Sequence, residues 1–150
     1  MIITSPSFSD GDPIPKKFTC DGGSINPELQ IQNVPEGAGS LALIVHDPDA
    51  PREGGFTHWV VWNIDPRTVL IKEESVPPGA IEGVNGLGHV GYVPPCPPPG
   101  HGSHRYHFQL YALDAMLDIP EGATEAELVD AMQGHLRGEA ELVGSYTRAE

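Results

Sequence analysis

The chain has 150 residues, 39% of them hydrophobic and 19% charged, and its 21 acidic against 8 basic side chains give a formal net charge of −13. Those values fit one domain with an ordinary core and exclude a disordered chain. So negative a charge also argues against nucleic acid and anionic bilayers as partners, since no run of Lys or Arg offsets it locally.

The 18 Gly and 16 Pro residues leave little room for long helices and favour short strands joined by turns. No stretch of about 18 apolar residues is present, so no transmembrane helix and no membrane insertion are expected. Met1 to Pro6 has neither a basic region nor a long apolar run, so no signal peptide is expected and the cytoplasm is the default compartment.

In chain order, Glu28 to Val34 alternates weakly, with Leu29 and Ile31 opposite Gln30 and Gln32. The apolar run Leu41 to Val45 stops at His46-Asp47-Pro48-Asp49-Ala50-Pro51, which predicts a buried strand ending in a turn. Trp59 to Ile64 is β-branched and aromatic, and Asp65-Pro66 closes it. Ser75 to Ser103 is dense in Gly and Pro and reads as a long structureless loop, which in a compact domain is usually functional or disordered. Tyr106 to Leu113 alternates, with Tyr106, Phe108, Leu110 and Ala112 on one face. Thr124-Glu125-Ala126-Glu127 matches a capping box, and Leu128, Val129, Met132 and Leu136 follow at helical spacing. Ala140, Leu142, Gly144 and Tyr146 alternate against Glu141, Val143 and Ser145, which suggests a last strand. The expected architecture is a single domain over residues 1–150, mainly β, an antiparallel β-sandwich with one or two short helices near the C-terminus.

Two cysteines, Cys20 and Cys96, with no CxxC spacing, are too few for a disulfide framework or a thiolate zinc site. They read as two buried thiols in preference to a single bridge.

Chemistry gathers at strand ends. Asp47 and Asp49 would point the same way if the backbone were extended, although Asp and Pro are also ordinary turn residues. His58 stands at the start of the strand Trp59 to Ile64. The stretch Pro95 to Tyr106 joins a rigid proline wall to His101, His104 and Arg105. His101, His104 and His107 recur every third residue, but on a strand that spacing alternates faces, which argues against a metal triad. GxSxG, HExxH, Walker A and dinucleotide-binding GxGxxG motifs are missing.

Taken together, these stretches resemble the phosphatidylethanolamine-binding protein family, in particular its bacterial and archaeal Raf-kinase-inhibitor-like branch. The likeness runs through Phe18-Thr19-Cys20-Asp21-Gly22, Asp47-Pro48-Asp49-Ala50-Pro51, His58-Trp59-Val60-Val61, Pro95-Cys96-Pro97-Pro98, His104-Arg105-Tyr106 and Ala140 to Tyr146, nearly end to end. It implies an antiparallel sandwich with a small anion pocket at one end, whose residues fall on Asp47, Asp49, His58, Pro97, Pro98, His104 and Tyr106. In such a pocket His58 and His104 would offer ring N–H groups and Tyr106 a hydroxyl, an aspartate would hold one imidazole, and loop amides would complete the cradle. Anion binding should then strengthen toward pH 6 as the histidines charge.

The sequence departs from the family at Gly91-Tyr92-Val93-Pro94-Pro95, where glycines are usual, at Leu87, where an aromatic is common, and at His46. The expected function is binding of a phosphate-like or carboxylate-like small ligand, a phospholipid headgroup among them, without a cofactor or metal. Kinase regulation would follow by analogy alone. The alternatives are a serine-protease inhibitor and an acid–base or metal-assisted phosphoester hydrolase built on Asp47, Asp49, His58 and His104. Dimers are common in the bacterial branch, so a homodimer is among the expectations, with Trp62 or Tyr146 in its interface.

Overall fold

A computed structural model of the chain describes residues 1–148. Eight strands and one α-helix follow one another: β1 (Ile2–Thr4), β2 (Leu29–Gln32), β3 (Ser40–Asp47), β4 (Phe56–Ile64), β5 (Leu70–Ile71), β6 (Ile81–Glu82), β7 (His104–Leu113), α1 (Glu125–Met132) and β8 (Leu136–Tyr146). A 3-10 turn at Lys16–Phe18 lies between β1 and β2. The strands form a small sheet ordered β1-β2-β5 and a large one ordered β6-β4-β3-β7-β8, and every pairing is antiparallel. The expected sandwich is therefore present, with one short helix.

β3 and β4 read as continuous apolar runs because both faces of the large sheet are covered. On one face Leu41, Leu43, Val45, Trp59, Val61, Phe108 and Leu110 pack against Leu29, Ile31 and Ile71 of the small sheet. On the other, Ala42, Ile44, Val60 and Trp62 pack under Leu117, Ala123 and the helix residues Leu128 and Met132. Trp62 is fully buried in this second layer, which removes it from any dimer interface. β7 keeps the predicted alternation, burying Tyr106, Phe108, Leu110 and Ala112 while His107, Gln109 and Tyr111 are only partly covered.

The helix starts as predicted. The Glu127 amide donates to the Thr124 hydroxyl, and the Glu127 carboxylate accepts from the Thr124 amide. It stops at Met132, earlier than the spacing of Leu136 implied, because Gly134 at φ +82° turns the chain and Leu136 opens β8.

Two expectations need correction. Ser75 to Ser103 is not structureless: it contains β6 and a bridge between Val84 and Val90, and Asn85 holds the intervening turn by accepting from the Leu87 and His89 amides. Cys20 and Cys96 are not free thiols but a disulfide across a sequence separation of 76. The 3-10 turn and the proline loop lie side by side, with the Cys20 amide donating to the Pro95 carbonyl at 3.1 Å, and sequence spacing carries no sign of that contact.

Candidate functional site

Antiparallel pairing brings the end of β3 and the starts of β4 and β7 to one edge of the large sheet. Asp47, His58, His104 and Tyr106 meet there around a cavity of about 360 Å³. Pro97 and Pro98 of the proline loop also line it. Of the residues expected at the site, all but Asp49 border this space.

Asp47 is 2% exposed, yet both carboxylate oxygens have partners. One accepts the Asp49 amide at 2.8 Å, and the other accepts His104 Nδ1–H at 2.7 Å. His104, also 2% exposed, meets His101 Nδ1 through its own Nε2 at 2.7 Å. The result is an Asp47–His104–His101 chain running from the core to the exposed loop. His107 is no part of it: its Nδ1 lies 3.2 Å from Glu141 on the opposite face, as the alternation argument required.

Asp49 is a strut. The turn after β3 swings its carboxylate away from the cavity and onto Arg105, which donates from its backbone amide, Nε and Nη2, each at 2.9 Å. Those Arg105 hydrogen bonds are the largest cause holding the Asp49 carboxyl down to about 2. Two carboxylates at i and i+2 share a side only on extended backbone, and Pro48-Asp49 is a turn.

His58 differs from the expected cationic donor. Its Nδ1–H donates to the Val93 carbonyl at 2.7 Å, and its ring stands edge-on to Tyr106, with centroids 5.1 Å apart. Burial is the largest influence and pushes its pKa down to about 4, so the ring is neutral at pH 6. The Val93 amide answers by donating to the His58 carbonyl at 2.8 Å. Val93 and Pro94, where the family usually has glycines, thus form a stiff wall registered on β4. Burial likewise pushes the Tyr106 hydroxyl pKa up, keeping it protonated.

A stability prediction follows for His58. Its folded pKa of about 4 lies below the ordinary 6.5, so the unfolded chain binds the extra proton first. The stabilisation is fully present above about pH 6.5 and is lost as pH falls toward about 4, by roughly 3 kcal/mol from this group. Urea unfolding of the wild type and His58→Phe at neutral and acid pH should show a shallower loss in the variant; parallel curves would refute it.

Two of the loop amides expected in the cradle are engaged within the protein: Gly100 donates to the Arg148 carbonyl at 3.2 Å and His101 to Pro98 at 3.0 Å. The cavity is also lined by Arg52 and Phe56, which the motifs did not single out, and by Leu87, already noted as a departure from the family pattern. The Arg52 guanidinium carbon lies 4.9 Å from the Phe56 ring centroid. His46 anchors the chain here, its Nε2 on the Gly54 carbonyl at 2.8 Å and its Nδ1 on Glu125 of α1 at 3.0 Å, and the Glu125 hydrogen bond raises its pKa. Gly55 is required where the loop rejoins β4: φ is +79°, and a Cβ would strike the Asp47 carbonyl oxygen. Among the described residues no group of three or more His, Cys, Asp or Glu side chains is placed to hold a metal ion. No helix among them is long and apolar enough to cross a membrane.

The family model for phosphatidylethanolamine-binding protein matches residues 4–147. The chain belongs to that family. A UPF0098 protein of Pyrococcus abyssi is 46% identical over 99% of this chain and 86% of its own length. A phosphatidylethanolamine-binding protein homologue from Chlamydia trachomatis superposes with a TM-score of 0.93 at 46% identity, covering 98% of this chain and 97% of that one. E. coli YbcL, described as a member of the mammalian family, gives 0.90 at 29% identity, covering 97% and 96%.

Proposed function

We propose that the chain is a non-enzymatic binding protein that takes a small phosphate-like or carboxylate-like anion, free or as part of a lipid headgroup, in the cavity at the end of the large sheet. The observation that carries this reading is the convergence of Asp47, His58, His104 and Tyr106 from three adjacent strands on one cavity, with a cationic Arg52 at its edge. Arg52 and the Tyr106 hydroxyl supply the donors an oxyanion needs. Binding is favoured over catalysis because the Asp47–His104–His101 chain ends on an exposed imidazole, with no serine hydroxyl hydrogen-bonded to it among the described residues. Cys96, the thiol nearest the cavity, is held in the disulfide.

Calorimetric titration of the protein with inorganic phosphate and with O-phosphoethanolamine tests the reading. Saturable binding that weakens at least about fivefold in Arg52→Ala is expected from loss of one charge-assisted contact. No heat with either probe at millimolar concentration would refute it. Tighter binding of O-phosphoethanolamine would point to a headgroup, and equal binding to the phosphate alone.

A further inference from the structure

The cavity divides its hydrogen-bonding groups unevenly. A carbonyl only accepts, so the bond from His58 Nδ1 to Val93 fixes the tautomer and leaves Nε2 with a bare lone pair. That nitrogen has no partner among the described residues, and it is not one of the sealed, unpartnered atoms, which are Trp62 Nε1 and His107 Nε2. It therefore opens on the cavity that His58 lines. Asp47, which also lines the cavity, is an acceptor whose charge is already shared between the Asp49 amide and His104, and His104 has both ring nitrogens engaged. The Val93 amide is engaged with the His58 carbonyl. The donors available to a ligand are the Tyr106 hydroxyl, on the ring beside His58, and the Arg52 guanidinium, whose residue also lines the cavity.

Resting on the anion-binding reading above, we infer that the cavity selects oxyanions that still carry an O–H, with that hydrogen donated to His58 Nε2 and the deprotonated oxygens facing Tyr106 and Arg52. The ligand class is the monoanion of a phosphate monoester or phosphonate. Sulfonates and phosphodiesters have the same charge but no such hydrogen, so they set an oxygen lone pair against a nitrogen lone pair and leave a buried acceptor unpaired. The same logic separates sources: below its second pKa of about 6 a free monoester carries the proton, and the diester linkage of an intact phospholipid carries none at any pH near neutral.

Protonating His58 would turn the acceptor into a donor, and the groups around it decide whether that happens. Burial, the largest influence, opposes the imidazolium, as do the fields of His46 and His104, whereas the hydrogen bond to the Val93 carbonyl and the charge of Asp47 on β3 favour it. Phe56 and Tyr106, which flank the ring, bring no charge.

The test compares methylphosphonate, methanesulfonate and dimethyl phosphate by calorimetry at about pH 5. There a phosphate monoester, whose second pKa is about 6, keeps its second proton, and all three probes are monoanions. Methylphosphonate is expected to bind roughly tenfold to a hundredfold more tightly than either of the others, the cost of an unpaired buried acceptor. His58→Phe, which removes the lone pair and keeps the ring volume, is expected to erase the difference. Equal affinities for the three probes in the wild type would overturn the selection while leaving the anion site standing. No binding of any probe would overturn the site itself, and the selection with it.

Discussion

Asp47→Ala is expected to lose about 3 kcal/mol of folding stability. The carboxylate is buried, and its removal strips an acceptor from His104 Nδ1–H and from the Asp49 amide together. His104 is 2% exposed, so water has little room to replace the lost partner. Asp47→Asn is an informative companion. Its amide oxygen still caps the turn, but the NH₂ then faces an N–H on His104. To relieve that clash His104 must shift its proton to Nε2, and the exposed His101 ring must then change tautomer so that its Nδ1 accepts it. Both variants should therefore unfold at lower urea, and a cycle with His104→Ala should recover a coupling of about 1–3 kcal/mol. A loss below about 0.5 kcal/mol, the usual size of a surface change, would show that the pair contributes nothing to holding the strand ends together.

Opening the Cys20–Cys96 bridge, by Cys20→Ser with Cys96→Ser or by a dithiol reductant, is expected to cost roughly 4 kcal/mol, since chain-entropy reasoning scales with the logarithm of a loop this long. The effect should reach the cavity as well. Cys96 lines it between Pro95 and Pro97, and the bridge joins that wall to the turn after Phe18. Beyond the bridge, lighter ties remain on the wall, among them the two Val93–His58 hydrogen bonds, the Cys20 amide on Pro95, the Gly100 amide on Arg148, and the Tyr92 hydroxyl on the Phe18 carbonyl at 3.0 Å. Urea midpoints of oxidised and reduced protein, read beside phosphate affinity, check this. An unchanged midpoint would mean that those ties and the packing around them suffice alone.

What could be read in advance follows from how physical causes mark a sequence. β3, β4 and β7 were legible because two-sided burial writes an apolar run and one-sided burial writes alternation. β1, β5 and β6 were not, being two or three residues long and without a period. The capping box marked the helix start, because a cap is local chemistry between residues three apart. At the site, motif resemblance brought out Asp47, His58 and His104, and strand-end position agreed with it. Asp49 was misplaced because its side depends on whether the backbone is extended or turned. The state of His58 could not be read at all: its tautomer is set by the carbonyl of Val93, 35 residues away, and any residue has a carbonyl. Arg52 and Phe56 stood inside the run between two recognised motifs, and one clue was available, a lone cation in an acidic chain beside a strand end.

The order β4-β3-β7 also bears on how the protein reaches its native state. His104 meets Asp47 across 57 residues of chain, and β3 must align with β7 before the site exists in any form. Closing so long a loop precedes the contacts that reward it, so a topology of this kind folds on the millisecond-to-second scale typical of β-sandwiches, not in microseconds. Nothing resembling the cavity can preform in the local β3–β4 hairpin, which carries Asp47 and His58 but not the imidazole that compensates the carboxylate. On the proposed anion-binding reading, competence for the ligand and completed long-range pairing therefore arise in the same event.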